Sequence, residues 1–221
     1  MRLLAIDTAL AACSTAFYDS DRGIPAGETL KMVRGHAEAL MPQIARVMAK
    51  ADIDFTALDR IAVTIGPGSF TGLRVGVAAA RGLAAAAHKP AVGVSTLTAM
   101  AMPLIVSDDS KPVVVVIDAR NDQAYMQAFG EKGRELNPPR LAPLRTAFDG
   151  LPEGAVRVIG SAARKLAALG LRETIVEEGD APEIAWVAAL GATAPADVPP
   201  KPLYLRAPDA KPQQIGHLLQ K

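Results

Sequence analysis

One pattern occurs twice in this chain and limits its fold more than any other feature. Residues 2–9 read RLLAIDTA and residues 112–120 read PVVVVIDAR, so each copy is a short apolar run that ends in Asp and a small residue. A short apolar run of this kind is typical of a buried strand. A weaker strand pattern follows each copy, at residues 13–18 and 123–129. The repetition predicts an internal duplication.

Both halves continue with alternating helix and strand patterns. This order predicts an α/β fold of two lobes, residues 1–107 and 108–221, each with a mixed sheet flanked by helices. Pro42 interrupts the first helix and predicts either a kink or a helix start near Met41. The Pro-rich residues from 195 onward predict an extended tail with disorder near its end. The predicted helices are 36–51, 71–88, 95–106, 161–169 and 182–192, and the further strands are 28–33, 60–65, 91–94, 156–159 and 174–176.

Composition disfavours several classes of protein. Lys and Arg (24) nearly balance Asp and Glu (23), and aromatic residues are only 4%, so neither charge nor stacking predicts strong nucleic-acid binding by the chain alone. A local patch around Arg74, Arg81 and Arg120 stays open as an alternative. The single cysteine, Cys13, fits a cytosolic compartment. Asp7 interrupts the segment before Cys13 and disfavours a secretion signal, and no apolar run approaches the ~18 residues that span a bilayer.

The segment 65–74, IGPGSFTGLR, joins a strand pattern to a helix pattern. A Walker-type phosphate loop has a glycine, four residues of any type and then a Gly-Lys pair, so its two glycines are five residues apart. Here Gly66 and Gly72 are six residues apart, and no Lys follows Gly72. We therefore favour a strand-to-helix turn, with docking of a partner and binding of phosphate as alternatives. Gly72 and Gly76 lie on one face of the following helix, although Gly inside a helix costs ~1 kcal/mol relative to Ala. This placement predicts close approach of another backbone, either within the lobe or from a partner.

Two further groups of residues are candidate ligand sites. Asp7 and Asp118 end the repeated strands, as in the actin-like, sugar-kinase and Hsp70 ATPases, but no glycine follows either one. Side chains in these turns restrict the approach of phosphate, so we predict only vestigial phosphate turns at Asp7, Thr8, Asp118 and Arg120. A purely structural role for each Asp is an equal alternative. His36 has Leu40 where a second metal ligand would stand on a helix, which predicts no metal site.

Five motifs together resemble one known family. They are LLAIDTA at 3–9, GPGSFTGLRVG at 66–76, GVSTL at 93–97, IDAR at 117–120 and PLYLR at 202–206. These motifs are similar to those of the bacterial TsaB (YeaZ) family, and the resemblance runs nearly end to end, with residues 130–195 poorly determined. It implies an actin-like, ribonuclease H-like fold of two lobes. The same superfamily carries the older label of M22 peptidase-like proteins.

The resemblance also implies a function. Members act in forming threonylcarbamoyladenosine at position 37 of tRNAs that read codons starting with A, with a catalytic, metal-holding paralogue, TsaD, and an ATPase, TsaE. They are regarded as non-catalytic scaffolds that form homodimers or pair with TsaD, which implies a cytoplasmic protein that reaches tRNA indirectly. No cofactor is expected, and a site for ATP or ADP is expected only at an interface with a partner. An active actin-like ATPase and an M22-type metallopeptidase are the alternatives.

In the catalytic paralogue the helical motif carries two histidines, whereas here His36 matches the first and Leu40 replaces the second. We therefore expect that the chain acts by binding other proteins through its surface, and that helices 36–51 and 71–88 contact TsaD or a second copy of the chain. The predicted interface residues are His36, Leu40, Met41, Ile44, Val47, Met48, Ser69, Phe70, Thr71, Arg74, Gly76 and Ala80.

Overall fold

A computed structural model describes residues 1–177 and 179–206. The part of the predicted tail beyond residue 206 lies outside the described residues, and residues 195–206 form neither helix nor strand. The strands are β1 Arg2–Asp7, β2 Ala12–Asp19, β3 Gly23–Lys31, β4 Arg60–Gly66, β5 Ala91–Ser95, β6 Val113–Asp118, β7 Gln123–Phe129, β8 Arg140–Pro143, β9 Val156–Ile159 and β10 Thr174–Glu177. The α-helices are α1 His36–Ala51, α2 Phe70–Ala87, α3 Thr96–Ser107, α4 Ala163–Ala168 and α5 Ile184–Thr193.

The strands form two five-stranded sheets with equivalent topology. The first sheet has the order β3-β2-β1-β4-β5 and the second has β10-β9-β6-β7-β8. In the first sheet β1 is antiparallel to β2 and parallel to β4. In the second sheet β6 is antiparallel to β7 and parallel to β9. The predicted fold class, an α/β protein with two mixed sheets flanked by helices, is confirmed, and the repeated strands occupy the same place in each sheet.

The first sheet is covered on both faces. Alternate side chains of β1 point to opposite sides, so Leu4 and Ile6 join the core under α1 and α2, whereas Leu3 and Ala5 join a core with residues of α3 and α5. Helix α5 belongs to the second half of the sequence, yet it packs on the first sheet. The Arg60 guanidinium donates to the carbonyl oxygens of Gly191, Ala192 and Ala194 at 2.9–3.2 Å and caps the end of α5. The domain boundary at residue 107 stays a prediction.

Helix α1 has the predicted bounds and corrects one prediction about its surface. It starts at His36 and continues through Pro42, which excludes the alternative start near Met41. The apolar stripe of α1 is not a free ridge: Leu40, Ile44, Val47 and Met48 lie buried in the core against the first sheet. Gly76 and Ala80 of α2 are buried as well, as is His36. Of the predicted interface, Met41, Ser69, Phe70, Thr71 and Arg74 are exposed.

The glycines of α2 pack within the lobe. A Cβ on Gly72 would collide with the Thr8 carbonyl oxygen, and one on Gly76 would collide with the Thr8 hydroxyl. That hydroxyl donates to the Gly72 carbonyl oxygen at 2.8 Å. Gly72 therefore admits the backbone of the turn after β1, and Gly76 admits the side chain of Thr8 in the same turn. Gly82, further along α2, is exposed and has nothing within 4 Å of where its Cβ would lie.

Across residues 1–177 and 179–206, none of the helices combines the length and apolar character that crossing a membrane requires.

Two substitutions in α2 test this packing. Gly72→Ala should lower the free energy of unfolding by about 1–3 kcal/mol, because the new methyl group must displace the Thr8 backbone. Gly82→Ala should raise it by up to ~1 kcal/mol, because alanine favours the helix and meets open space. Urea denaturation of both variants measures the difference. Equal effects of the two substitutions would contradict the proposed role of Gly72.

Candidate functional site

A cleft of about 620 Å³ is lined by residues from both halves of the chain. Four segments line most of it: residues 9–11, 67–71, 117–120 and 203–206. The cleft brings together several residues that the sequence singled out separately, namely Ser69, Phe70, Thr71, Asp118 and Arg120. Asp7 and Thr8 are not among its lining residues.

Asp7 is fully buried, with 0% of its surface exposed. Its Oδ1 accepts hydrogen bonds from the Thr64 hydroxyl at 2.7 Å and from the Ala9 amide at 3.1 Å. Among the described residues Oδ2 has no hydrogen-bond partner. Burial raises the pKa of the Asp7 carboxyl to about 6, against the smaller lowering effects of these two hydrogen bonds and of His36. Asp7 thus anchors the turn that follows β1 and does not face the cleft.

The glycine-rich segment closes over the first turn, residues 8–11. The Ser69 amide donates to the Ala9 carbonyl oxygen at 2.8 Å. A Cβ on Gly68 would collide with the same carbonyl oxygen, so only glycine at this position lets the backbone of Ala9 come so close. The Ser69 hydroxyl accepts from the Gly72 amide at 3.3 Å and caps α2. These contacts favour the strand-to-helix turn among the three interpretations of IGPGSFTGLR.

The second turn, residues 119–122, differs from the first because its residues 120–122 are exposed, whereas Thr8 and Ala9 of the first turn are buried. Asp118 is exposed, and its Oδ1 accepts from the Arg120 amide at 2.8 Å. Arg120, Asn121 and Asp122 have φ values of 64°, 51° and 55°, a run of three left-handed residues without glycine. Lys165 holds the turn through Asp122 at 2.7 Å. Asn121 and Asp122 are residue types that adopt this conformation more readily than most, but nothing in the sequence indicates it for Arg120.

Residues 203–206, the docked tail, join the two halves across the cleft. The Leu203 amide donates to the Ile65 carbonyl oxygen at 2.7 Å. The Tyr204 ring packs on Phe70 with centroids 4.9 Å apart and planes at 35°. Arg206 donates to the Ala119 carbonyl oxygen and to Gln123 Oε1, both at 2.6 Å. Only the PLYLR motif pointed to this segment, and pattern analysis gave no signal for its contacts.

The remaining candidate groups are engaged inside the first lobe. The buried His36 ring donates from Nε2 to the Leu10 carbonyl oxygen at 3.2 Å. Leu40, one turn along, lies in the core. The Cys13 thiol is buried and donates to Gln43 Oε1 at 3.1 Å, and burial raises its pKa to about 11, which makes it unreactive near neutral pH. In the described part of the chain, no three His, Cys, Asp or Glu side chains gather into a metal-binding group.

Comparison with known proteins shows where these features belong. A family model described as TsaD, tRNA N6-adenosine threonylcarbamoyltransferase, matches residues 30–148, more than half of the chain. An uncharacterized protein of Mycobacterium tuberculosis is 34% identical over 214 residues, which cover 96% of this chain and 95% of that protein. The tRNA threonylcarbamoyladenosine biosynthesis protein TsaB of Escherichia coli is 38% identical over 129 residues. The chain belongs to the TsaB (YeaZ) family.

A solved TsaB-family structure supports this assignment over the whole fold. YeaZ from Pseudomonas aeruginosa superposes with a TM-score of 0.81 at 25% identity, covering 92% of this chain and 99% of that one. The match to the E. coli protein covers 58% of this chain and 55% of that relative. This chain therefore spans little more than half the length of the first curated TsaB proteins that it matches.

The buried carboxyl of Asp7 makes stability depend on pH. Because folding raises its pKa, the folded protein binds the proton more tightly, so this group's contribution to stability is greatest below about pH 4 and falls as the pH rises to about 6. At pH 7 the buried carboxylate should destabilise the fold by roughly 3 kcal/mol. Asp7→Asn keeps an acceptor for Thr64 and Ala9, and it should be the more stable protein at pH 7.

Urea denaturation of both proteins between pH 4 and pH 8 measures this effect. The difference in free energy of unfolding between wild type and Asp7→Asn should grow across that window in favour of the variant. A difference that does not change with pH would show that Asp7 does not titrate as described.

Proposed function

We propose that this chain acts in the formation of threonylcarbamoyladenosine in tRNA as a partner subunit that performs no chemistry itself. The matched family model and the name of the E. coli relative support the pathway. In this proposal a TsaD-type subunit transfers the threonylcarbamoyl group to adenosine 37, and a TsaE-type ATPase assists. The reaction takes place in the cytoplasm, and the complex as a whole brings tRNA to the catalytic subunit.

The observation that carries the non-catalytic role is the state of Asp7. A carboxylate at the end of β1 would have to reach the cleft to act on a phosphate or a metal ion, but this one is buried and bonded to Thr64 and Ala9. The first turn beside it is covered by the Ser69 and Gly68 backbone. An actin-like ATPase therefore gains no support here. A metallopeptidase gains none either, because Leu40 lies in the core where a second ligand would be needed.

The surface offered to a partner is the outer side of the two helices that cover the first sheet. Most of its side chains are small, so another helix can approach closely, and its one large apolar residue, Met41, is 47% exposed. We define this outer helix face by the exposed residues Ala37, Met41, Ala45, Ala49, Ala78, Gly82, Ala85 and Ala86. Phe70 and Arg74 extend it toward the cleft. This outer helix face replaces the buried stripe of α1 as the proposed binding surface for a TsaD-type subunit or a second copy of the chain.

A reconstitution assay tests the function. The chain is combined with the TsaD-type and TsaE-type proteins of the same organism, the enzyme that makes threonylcarbamoyl-adenylate, threonine, bicarbonate, ATP and unmodified tRNA. Mass spectrometry of the digested tRNA should detect the modified nucleoside with all components and none when this chain is omitted. Hydrolysis of ATP or of peptides by the purified chain alone would overturn the non-catalytic role.

A matched pair of charged substitutions tests the outer helix face. Met41→Glu should weaken association with the TsaD-type subunit at least tenfold and reduce modification, because a buried unpaired carboxylate is costly at an interface. Leu171→Glu is the control, since Leu171 is 56% exposed in the other half of the chain. Calorimetric titration of each variant into the partner gives the affinities. If Met41→Glu binds as tightly as Leu171→Glu, the interface lies elsewhere.

A further inference from the structure

The docked tail is attached to the first half of the chain at two points. The Leu203 amide donates to the Ile65 carbonyl oxygen at 2.7 Å, and the Leu203 carbonyl oxygen lies 3.0 Å from where a Cβ on Gly66 would be. One residue further on, the Tyr204 ring packs on Phe70 with centroids 4.9 Å apart. These contacts hold the docked tail against the glycine-rich segment and the first turn of α2.

The same segment is attached to the second half of the chain through one side chain. The Arg206 guanidinium donates to the Ala119 carbonyl oxygen and to Gln123 Oε1, both at 2.6 Å. Hydrogen bonds from a charged group are stronger than those between neutral groups. Arg206 therefore contributes much of the hold on the docked tail, although both of its hydrogen bonds are to the second half.

Little apolar surface holds the docked tail in place. Neither Leu203 nor Leu205 belongs to the buried apolar clusters of the described residues, and Tyr204 is 44% exposed. Residues 195–199, which lead to the docked tail from α5, are exposed as well. Segments with few buried apolar contacts open locally at a lower free energy than global unfolding requires. The docked tail can therefore leave its site while both sheets stay folded.

Docking of the tail covers part of the Phe70 ring. The Arg74 guanidinium lies 5.2 Å from the centroid of the same ring, and Phe70 is 38% exposed with Tyr204 packed on it. Phe70 and Arg74 extend the outer helix face toward the cleft, and aromatic and arginine side chains often dominate binding at interfaces. The area of the ring that Tyr204 covers is withheld from a partner for as long as the tail is docked.

We propose that the docked tail is a releasable strap, which docks and undocks as one unit and competes with a partner subunit for Phe70. In the undocked state the ring and Arg74 form an open end of the outer helix face. Binding of the partner then requires loss of the contacts of Leu203, Tyr204 and Arg206, so the docked tail lowers the affinity by the ratio of docked to undocked molecules. The competition rests on the proposed function, whereas release of the tail is a property of this chain alone.

Amide hydrogen exchange, measured by NMR on the full chain without a partner, tests release of the docked tail. The Leu203 amide should exchange at least about tenfold faster than the buried amides of β1, because it becomes free without global unfolding. Arg206→Ala should speed up this exchange at least about tenfold more, since a unit that docks as a whole loses its bond to Ile65 together with those to the second half. Lys201→Ala changes an exposed residue just before the docked tail and should stay within about twofold of wild type.

Substitutions of Tyr204 test the ring contact in the same measurement. Tyr204→Ala should speed up exchange at Leu203 at least about threefold, whereas Tyr204→Phe should stay within about twofold of wild type because the ring remains. Two results would overturn the proposal. Exchange at Leu203 as slow as in β1 would make the tail a fixed part of the fold, and exchange that does not respond to Arg206→Ala would show that its contacts form independently.

Calorimetric titration into the TsaD-type subunit tests the competition. Arg206→Ala should bind at least about threefold more tightly than wild type, because its undocked state is already populated. The same substitution should give no gain in a Phe70→Ala background, since this ring is what the tail covers.

The Met41→Glu variant separates failure of the competition from failure of the proposed function. If Arg206→Ala binds no more tightly than wild type while Met41→Glu weakens binding, the competition is wrong and the outer helix face stands. If Met41→Glu has no effect, the proposed interface is wrong and the competition falls with it, while the exchange measurements still decide whether the tail is released.

Discussion

The hydrogen bonds of one buried carboxyl group and its neighbour organise the first half of this protein. Asp7 ties the end of β1 to Thr64 on β4 and to the turn at Ala9. The next residue, Thr8, meets the glycines of α2 and bonds to the Gly72 carbonyl oxygen. Strand, turn and helix therefore meet at one point that has no room for a ligand. The burial of Asp7, the closed first turn and the position of α2 all depend on this joint.

The two copies of the repeated unit share their topology but differ in their turns. The first turn is covered by the glycine-rich segment, while the second stays exposed in a left-handed conformation and carries Arg120. The docked tail crosses between them through Tyr204 and Arg206. The first turn therefore serves packing, whereas the second places the cationic side chain of Arg120 at the cleft.

Much of the fold could be predicted because its signals are local. The apolar runs at β1 and β6, followed by Asp, gave both sheets their central strands, and the small residues of α2 indicated a close backbone. The burial of the α1 stripe could not be predicted, since an apolar face does not say whether a sheet or a partner covers Leu40 and Ile44. The contacts of the docked tail could not be predicted either, because Ile65 and Ala119, to which it bonds, are remote from it in sequence. Arg120 was singled out, but its left-handed backbone has no sequence signature.

The cap that Arg60 places on α5 has a consequence for the independence of the halves. Helix α5 completes the covering of Leu3 and Ala5 on the first sheet, although it comes after the whole second sheet in the chain. A polypeptide cut between the two repeats would leave one fragment with a bare apolar face and the other with a helix that has nothing to cover. Because α5 covers a sheet formed by the other half of the sequence, we expect that neither half would be stable as a separate protein.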